Sequence, residues 1–174
     1  MHTNRSRLLV PAAAAFAGGA MWAAKAGLIL LGIADLGWMV VASQGFMGIA
    51  LLGLYRHSGE RGKLARTGAA LAAAAVPLSA FNSLWAEGMS IQPYTYMASI
   101  AGVLASSVMA GILARRNDAL YERTGRWPLW IGTLTFPAVA LGSLVHLESG
   151  VLLAGFAWMA LAVRMCPPRF RAAA

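Results

Sequence analysis

The sequence predicts an all-α, polytopic integral membrane protein: a bundle of six transmembrane helices, built as three helical hairpins, with both termini cytoplasmic. Three observations predict it. The chain of 174 residues is 59% hydrophobic and only 11% charged, against roughly 45–50% apolar and about 25% charged for soluble domains. Six apolar stretches approach the ~20 residues that cross a bilayer core. Thirteen of the fourteen Lys and Arg residues then fall on one side of such a bundle, as cytoplasmic loops require.

Each span has its own signals. Arg5 and Arg7 precede the first, 8–32, which carries Pro11 near its start and the small residues Gly18, Gly19 and Gly27. A leader peptide, with a basic start and an Ala-rich stretch around 17–24, is the competing reading of this segment. Cleavage there would leave five spans. The second span, 36–55, has Trp38 and Tyr55 at its two ends, where amphipathic aromatics favour the interface. Gly45 and Gly48 lie within it and can admit a close neighbour.

Arg56, Arg61, Lys63 and Arg66 mark the cytoplasmic boundary before the third span, 64–86. Pro77 removes a backbone donor there and kinks the helix. The fourth span, 94–114, opens with Tyr94 and Tyr96 and carries Thr95, Ser99, Gly102 and Ser106 on one small, weakly polar face. Arg115, Arg116, Arg123 and Arg126 separate it from the fifth, 128–145, which repeats the internal proline as Pro137. The sixth, 149–163, is the shortest, and Arg164, Arg169 and Arg171 follow it. Residues 1–174 thus form a single transmembrane domain with short connections. The Ala- and Arg-rich style is that of small multi-span bacterial proteins, which points to a bacterial cytoplasmic membrane.

This organisation excludes a soluble globule, a disordered chain and a disulfide scaffold; Cys166 is the single cysteine. The net charge of +8 does not indicate nucleic acid, because the basic residues cap membrane spans instead of alternating with aromatics along a groove. The sequence contains no phosphate-binding loop, dinucleotide fingerprint or zinc motif. Neither a cofactor nor a metal is expected.

Function has to be sought in the polar residues of the spans, where ionisable groups are costly. Lys25 lies about 26 Å along the first span at 1.5 Å per residue. Its ammonium either snorkels to water or pairs with a carboxylate or an anionic headgroup. Ser79, Asn82, Ser83 and Glu87 form a stripe on one face of the third helix. Tyr94 begins the next helix, and Ser143, His146 and Glu148 end the fifth span. Together these nine residues outline an outward-facing cavity for a lipid or a hydrophobic small molecule. The expected function is accordingly a non-catalytic accessory subunit or ligand-binding membrane protein. Its partners would be the bilayer, that ligand, and a membrane-protein partner or a second copy of the chain. A small transporter or channel is the alternative, resting on the proline-kinked helices. An enzyme acting on a lipid-like substrate is the third reading, with Glu87, His146 and Glu148 as acid–base groups.

Overall fold

The computed structural model describes residues 8–34, 36–84, 89–142 and 144–166, and these are helical throughout apart from their connections. Seven helices occur among them. They are α1 (Leu9–Leu30), α2 (Gly37–Ser58), α3 (Lys63–Leu84), α4 (Gln92–Ala114), α5 (Asp118–Thr124), α6 (Trp127–Gly142) and α7 (Leu147–Met165). Helices α1, α2, α3, α4 and α7 are long and apolar enough to cross a membrane. An integral membrane protein follows.

Two boundaries differ from expectation. The fifth apolar stretch stops at Gly142 and yields a helix of 16 residues, about 24 Å at 1.5 Å per residue. That is short of the roughly 30 Å hydrocarbon core. The last helix, expected to be the short one, has 19 residues. The reason is local. Residues 144–146 turn on backbone hydrogen bonds to Leu141 and Gly142. The His146 ring then caps the new helix, its Nδ1 accepting from the Glu148 N–H.

Helix α5 lies between the expected fourth and fifth spans. Asn117 caps it by accepting from the Leu120 N–H, and Gly125, at φ 58°, ends it. The Asn117 amide also donates to the Ser58 carbonyl at the end of α2, 3.1 Å away. This short helix touches α2, α4 and α7, with Leu120 and Thr124 buried, and closes one end of the bundle.

The long helices pack as a closed ring in the order α1, α2, α3, α4, α6, α7 and back to α1. Helix α2 also touches α4, which sets α3 on the outside of that pair. Packing within lipid gains little from the hydrophobic effect, so close backbone approach carries the association. Glycines provide it. A Cβ built on Gly19 would lie 2.6 Å from the Gly155 carbonyl oxygen, and one built on Gly155 would lie 2.7 Å from the Gly19 carbonyl oxygen. That reciprocal contact is the α1–α7 seam. Gly18 fits against Ser43 of α2, Gly48 against Ala72 of α3, and Gly132 against Leu104 of α4. Gly27, also expected to admit a neighbour, faces open space.

Candidate functional site

Among the described residues, the predicted side chains fall in separate places. Lys25 and Glu148 meet: Nζ of Lys25 donates to Oε1 of Glu148 at 2.7 Å, with the side chains only 13% and 9% exposed. This ion pair bridges α1 and α7. Ser79 and Asn82 belong to another seam. The Ser79 hydroxyl donates to the Val41 carbonyl of α2 and accepts from the Gly45 N–H at 3.2 Å. Asn82 Oδ1 accepts from the Thr95 hydroxyl of α4 at 2.5 Å. Helix α3 packs chiefly on α2 and α4, and Ser79 and Asn82 lie on that seam.

The remaining predicted residues add little to either group. Tyr94 is 77% exposed on the first turn of α4. His146 is exposed and engaged in capping α7. Glu87 and Ser143 lie outside the described residues, as does the side chain of Ser83. Two surface grooves are formed by described residues, one between α1 and α2 and one between α6 and α7, and none of the nine residues lines either.

A different set of polar groups faces the interior. Gln44 shares a face of α2 with Leu51 and Tyr55, at offsets of seven and eleven residues. The Tyr55 hydroxyl reaches the Ser106 carbonyl of α4 at 2.5 Å, so that face looks inward across the ring. Gln44 is 1% exposed, and neither its amide nitrogen nor its amide oxygen has a partner. Trp22 lies between the Gly18 contact to α2 and the Gly19 contact to α7, which also turns it inward. Trp158, on α7, packs its Cβ on Gly19. Both indole N–H groups are buried without an acceptor. Oε2 of Glu148 and Nδ2 of Asn82 are buried without partners too.

The two ends of the bundle differ in this respect. In the half nearer α5, four buried polar side chains are satisfied. Tyr55 donates to Ser106, Ser106 to the Gly68 carbonyl at 2.8 Å, Ser107 to the Pro128 carbonyl at 2.7 Å, and Thr124 to the Leu120 carbonyl at 2.9 Å. In the half remote from α5, Gln44 lies seven residues into α2, Trp22 past the middle of α1, Glu148 in the first turn of α7 and Asn82 in the last turn of α3, each with atoms unpaired; the unpaired Trp158 lies nearer the middle of α7. An unpaired buried amide costs about 1–3 kcal/mol in proteins, so Gln44 and Asn82 alone carry a substantial stability cost. Sequence reasoning marks Gln44 as an intramembrane polar residue. It does not mark Trp22 or Trp158, because an indole in a span reads as an apolar packing group until its N–H is seen to be buried.

Chemically, Gln44, Trp22 and Trp158 offer donors, and Gln44 and Glu148 offer acceptors. Among the described residues, no group of three or more His, Cys, Asp or Glu could hold a metal ion. No nucleophile–base pair is present in this set. The arrangement suits recognition of a molecule with a small polar group and an apolar body.

No protein-family model matches the chain, and no curated protein or solved structure is similar to it.

Proposed function

We propose that this protein is a six-span membrane protein, with both termini cytoplasmic, that binds a lipid or a hydrophobic small molecule at the end of the bundle remote from α5. In a bacterium it would reside in the cytoplasmic membrane. The orientation is supported by the basic residues, which gather at the α5 end: Arg56, Arg61, Lys63, Arg115, Arg116, Arg123 and Arg126 border the connections there. In that orientation most of the unpaired groups lie in the outer half of the bundle. Helix α6 would cross as the sixth span by thinning the bilayer locally or by its neighbours' tilt, at a modest cost per ångström of mismatch.

One observation carries the binding reading: among the described residues, four of the five with unpaired buried polar atoms, Gln44, Trp22, Glu148 and Asn82, lie in the half of the bundle remote from α5, with Trp158 nearer its middle. A ligand with a hydroxyl, carbonyl or amide group would supply the missing partners. A non-catalytic role, as an accessory subunit that holds such a ligand, fits a site without a nucleophile.

The test is mild extraction of the protein followed by native mass spectrometry, beside the Gln44→Leu variant. A defined adduct on the wild type, at least ten-fold depleted on a folded Gln44→Leu protein, is the expected result. A wild type that carries no adduct after mild extraction, or an adduct retained equally by a folded Gln44→Leu protein, would overturn the reading.

A further inference from the structure

The groove between α1 and α2 lies near the opposite end of the bundle from the interior polar groups. Its volume is about 540 Å³. Val10 and Pro11 of α1 form one wall, and Ile49 and Leu52 of α2 form the other. Gly53 makes the floor, where a Cβ would collide with the Pro11 ring. Arg56 and His57, in the last turn of α2, line the end. Val10 is 71% exposed and Ile49 38% exposed, so the groove opens to the outside of the bundle and not to its interior.

Polarity changes along this groove in one direction. Phe46, Ile49, Gly53 and Arg56 follow one another on a single helical face, at offsets of three, seven and ten. The first two are exposed apolar side chains. The last is an exposed guanidinium with no carboxylate partner among the described residues. Arg presents several donors in a planar fork that matches phosphate oxygens two at a time. In a membrane, an apolar channel that leads to such a cation matches the outline of a phospholipid. Such a lipid would lay an acyl chain along Ile49 and Leu52 and set its phosphate against Arg56.

We propose that this groove is a binding site for one anionic phospholipid, with the phosphate held by Arg56 at the α5 end of the bundle. Charge complementarity selects the occupant. A zwitterionic lipid offers the same chains but brings a quaternary or primary ammonium beside the guanidinium. A net negative headgroup meets that cation without such repulsion. The site rests on the membrane reading of the chain and is independent of the ligand at Gln44.

Native mass spectrometry from a neutral detergent tests this, with phosphatidylglycerol or phosphatidylcholine added in titration. The wild type is expected to retain one phosphatidylglycerol at least ten-fold more strongly than phosphatidylcholine. Arg56→Gln should abolish the preference. Val10→Trp, at an exposed position, should fill the groove and reduce retention of both lipids. Arg61→Gln, outside the groove, should leave the first adduct unchanged, and so should Gln44→Leu. Inorganic phosphate at millimolar concentration should not displace the lipid, since the chains contribute to binding. Equal retention of the two lipids would overturn the proposal. So would an equal loss in Arg56→Gln and Arg61→Gln, which would indicate diffuse attraction, or full displacement by phosphate.

Discussion

Nζ of Lys25 and Oε1 of Glu148 lie 2.7 Å apart and join two helices whose residues are separated by 123 positions in the chain. Both side chains are largely buried, so each charge depends on the other. Breaking a buried pair by removing one partner costs about 3–5 kcal/mol, chiefly through the charge left behind. Replacing both with apolar residues is often neutral. Lys25→Met alone is therefore expected to lower stability strongly. Lys25→Met combined with Glu148→Leu should restore most of the loss. Unfolding in mixed micelles, monitored by tryptophan fluorescence, provides the measurement. A double variant as unstable as the single one would show that the pair holds the α1–α7 seam by more than charge neutralisation.

The glycine contact beneath that ion pair makes a sharper packing prediction. Gly19→Val would bring a side chain within 2.6 Å of the Gly155 backbone and 2.8 Å of Trp158 Cβ, so α1 and α7 must separate. Overpacking of this kind costs about 1–3 kcal/mol. Gly27→Ala, on the same helix but with open space around it, should instead be neutral or stabilise by about 0.5–1 kcal/mol. Comparing the two variants in the same unfolding assay separates seam packing from helix propensity.

How much of this was legible follows from what each feature depends on. The first four long helices are readable because their apolar runs are bounded by charges and by glycines such as Gly59, at φ 67°. Helix α5 has only seven residues and cannot register as a span. Its signal lay in Asn117 followed by Asp118 and closed by Gly125. The early end of α6 is set by the turn at Leu144–His146, which an apolar run conceals. The candidate site was less legible, because ring order is tertiary. Nothing in one sequence says that Gly19 meets Gly155 and not Gly48. That choice placed Lys25 beside Glu148 and left Ser79 and Asn82 on a seam with α2 and α4. The lone carboxylate on α7 was identifiable as an ion-pair candidate, whereas the unpaired atoms of Gln44 and Trp22 became visible only with burial.

Tyr55 and Gly68 form a coupled pair. The Tyr55 hydroxyl occupies the notch that a Cβ on Gly68 would fill, and from there it donates to Ser106. Gly68→Ala is expected to displace the ring and to lose that hydrogen bond. A typical hydrogen bond contributes about 1 kcal/mol net, and the displaced ring adds packing loss. In a Tyr55→Phe background the same glycine substitution should cost less, since the colliding oxygen and its hydrogen bond are gone and only the ring edge at Cζ and Cε1 must give way. The coupling energy from the four-protein cycle should be about 0.5–3 kcal/mol. Additive costs would mean that the notch relaxes without involving the hydroxyl.

Gln44 gives a prediction of opposite sign. Its two amide atoms have no partners, so Gln44→Leu removes a desolvation penalty and keeps a side chain of similar volume. The ligand-free variant should be as stable as the wild type or more stable. Added ligand should stabilise only the wild type, by an amount that grows with the logarithm of ligand concentration above its Kd. A Gln44→Leu protein that is clearly destabilised without ligand would instead mean that the amide is satisfied by ordered water, which supplies several hydrogen bonds to a buried polar group.

The threading can be decided by chemical accessibility. Single cysteines in a Cys166→Ser background would replace Arg61, in the connection between α2 and α3, or Met89, in the connection between α3 and α4. Both positions are exposed, so substitution should not disturb packing. Arg61 lies within the basic cluster expected to stay inside, because translocating several cations across the hydrocarbon is costly. In intact cells a membrane-impermeant maleimide should label Met89→Cys and spare Arg61→Cys. Permeabilisation should expose both. The reversed pattern would invert the bundle and place the Gln44 end in the cytoplasm. Labelling of both positions in intact cells would mean that α3 does not cross, which its length and hydropathy argue against.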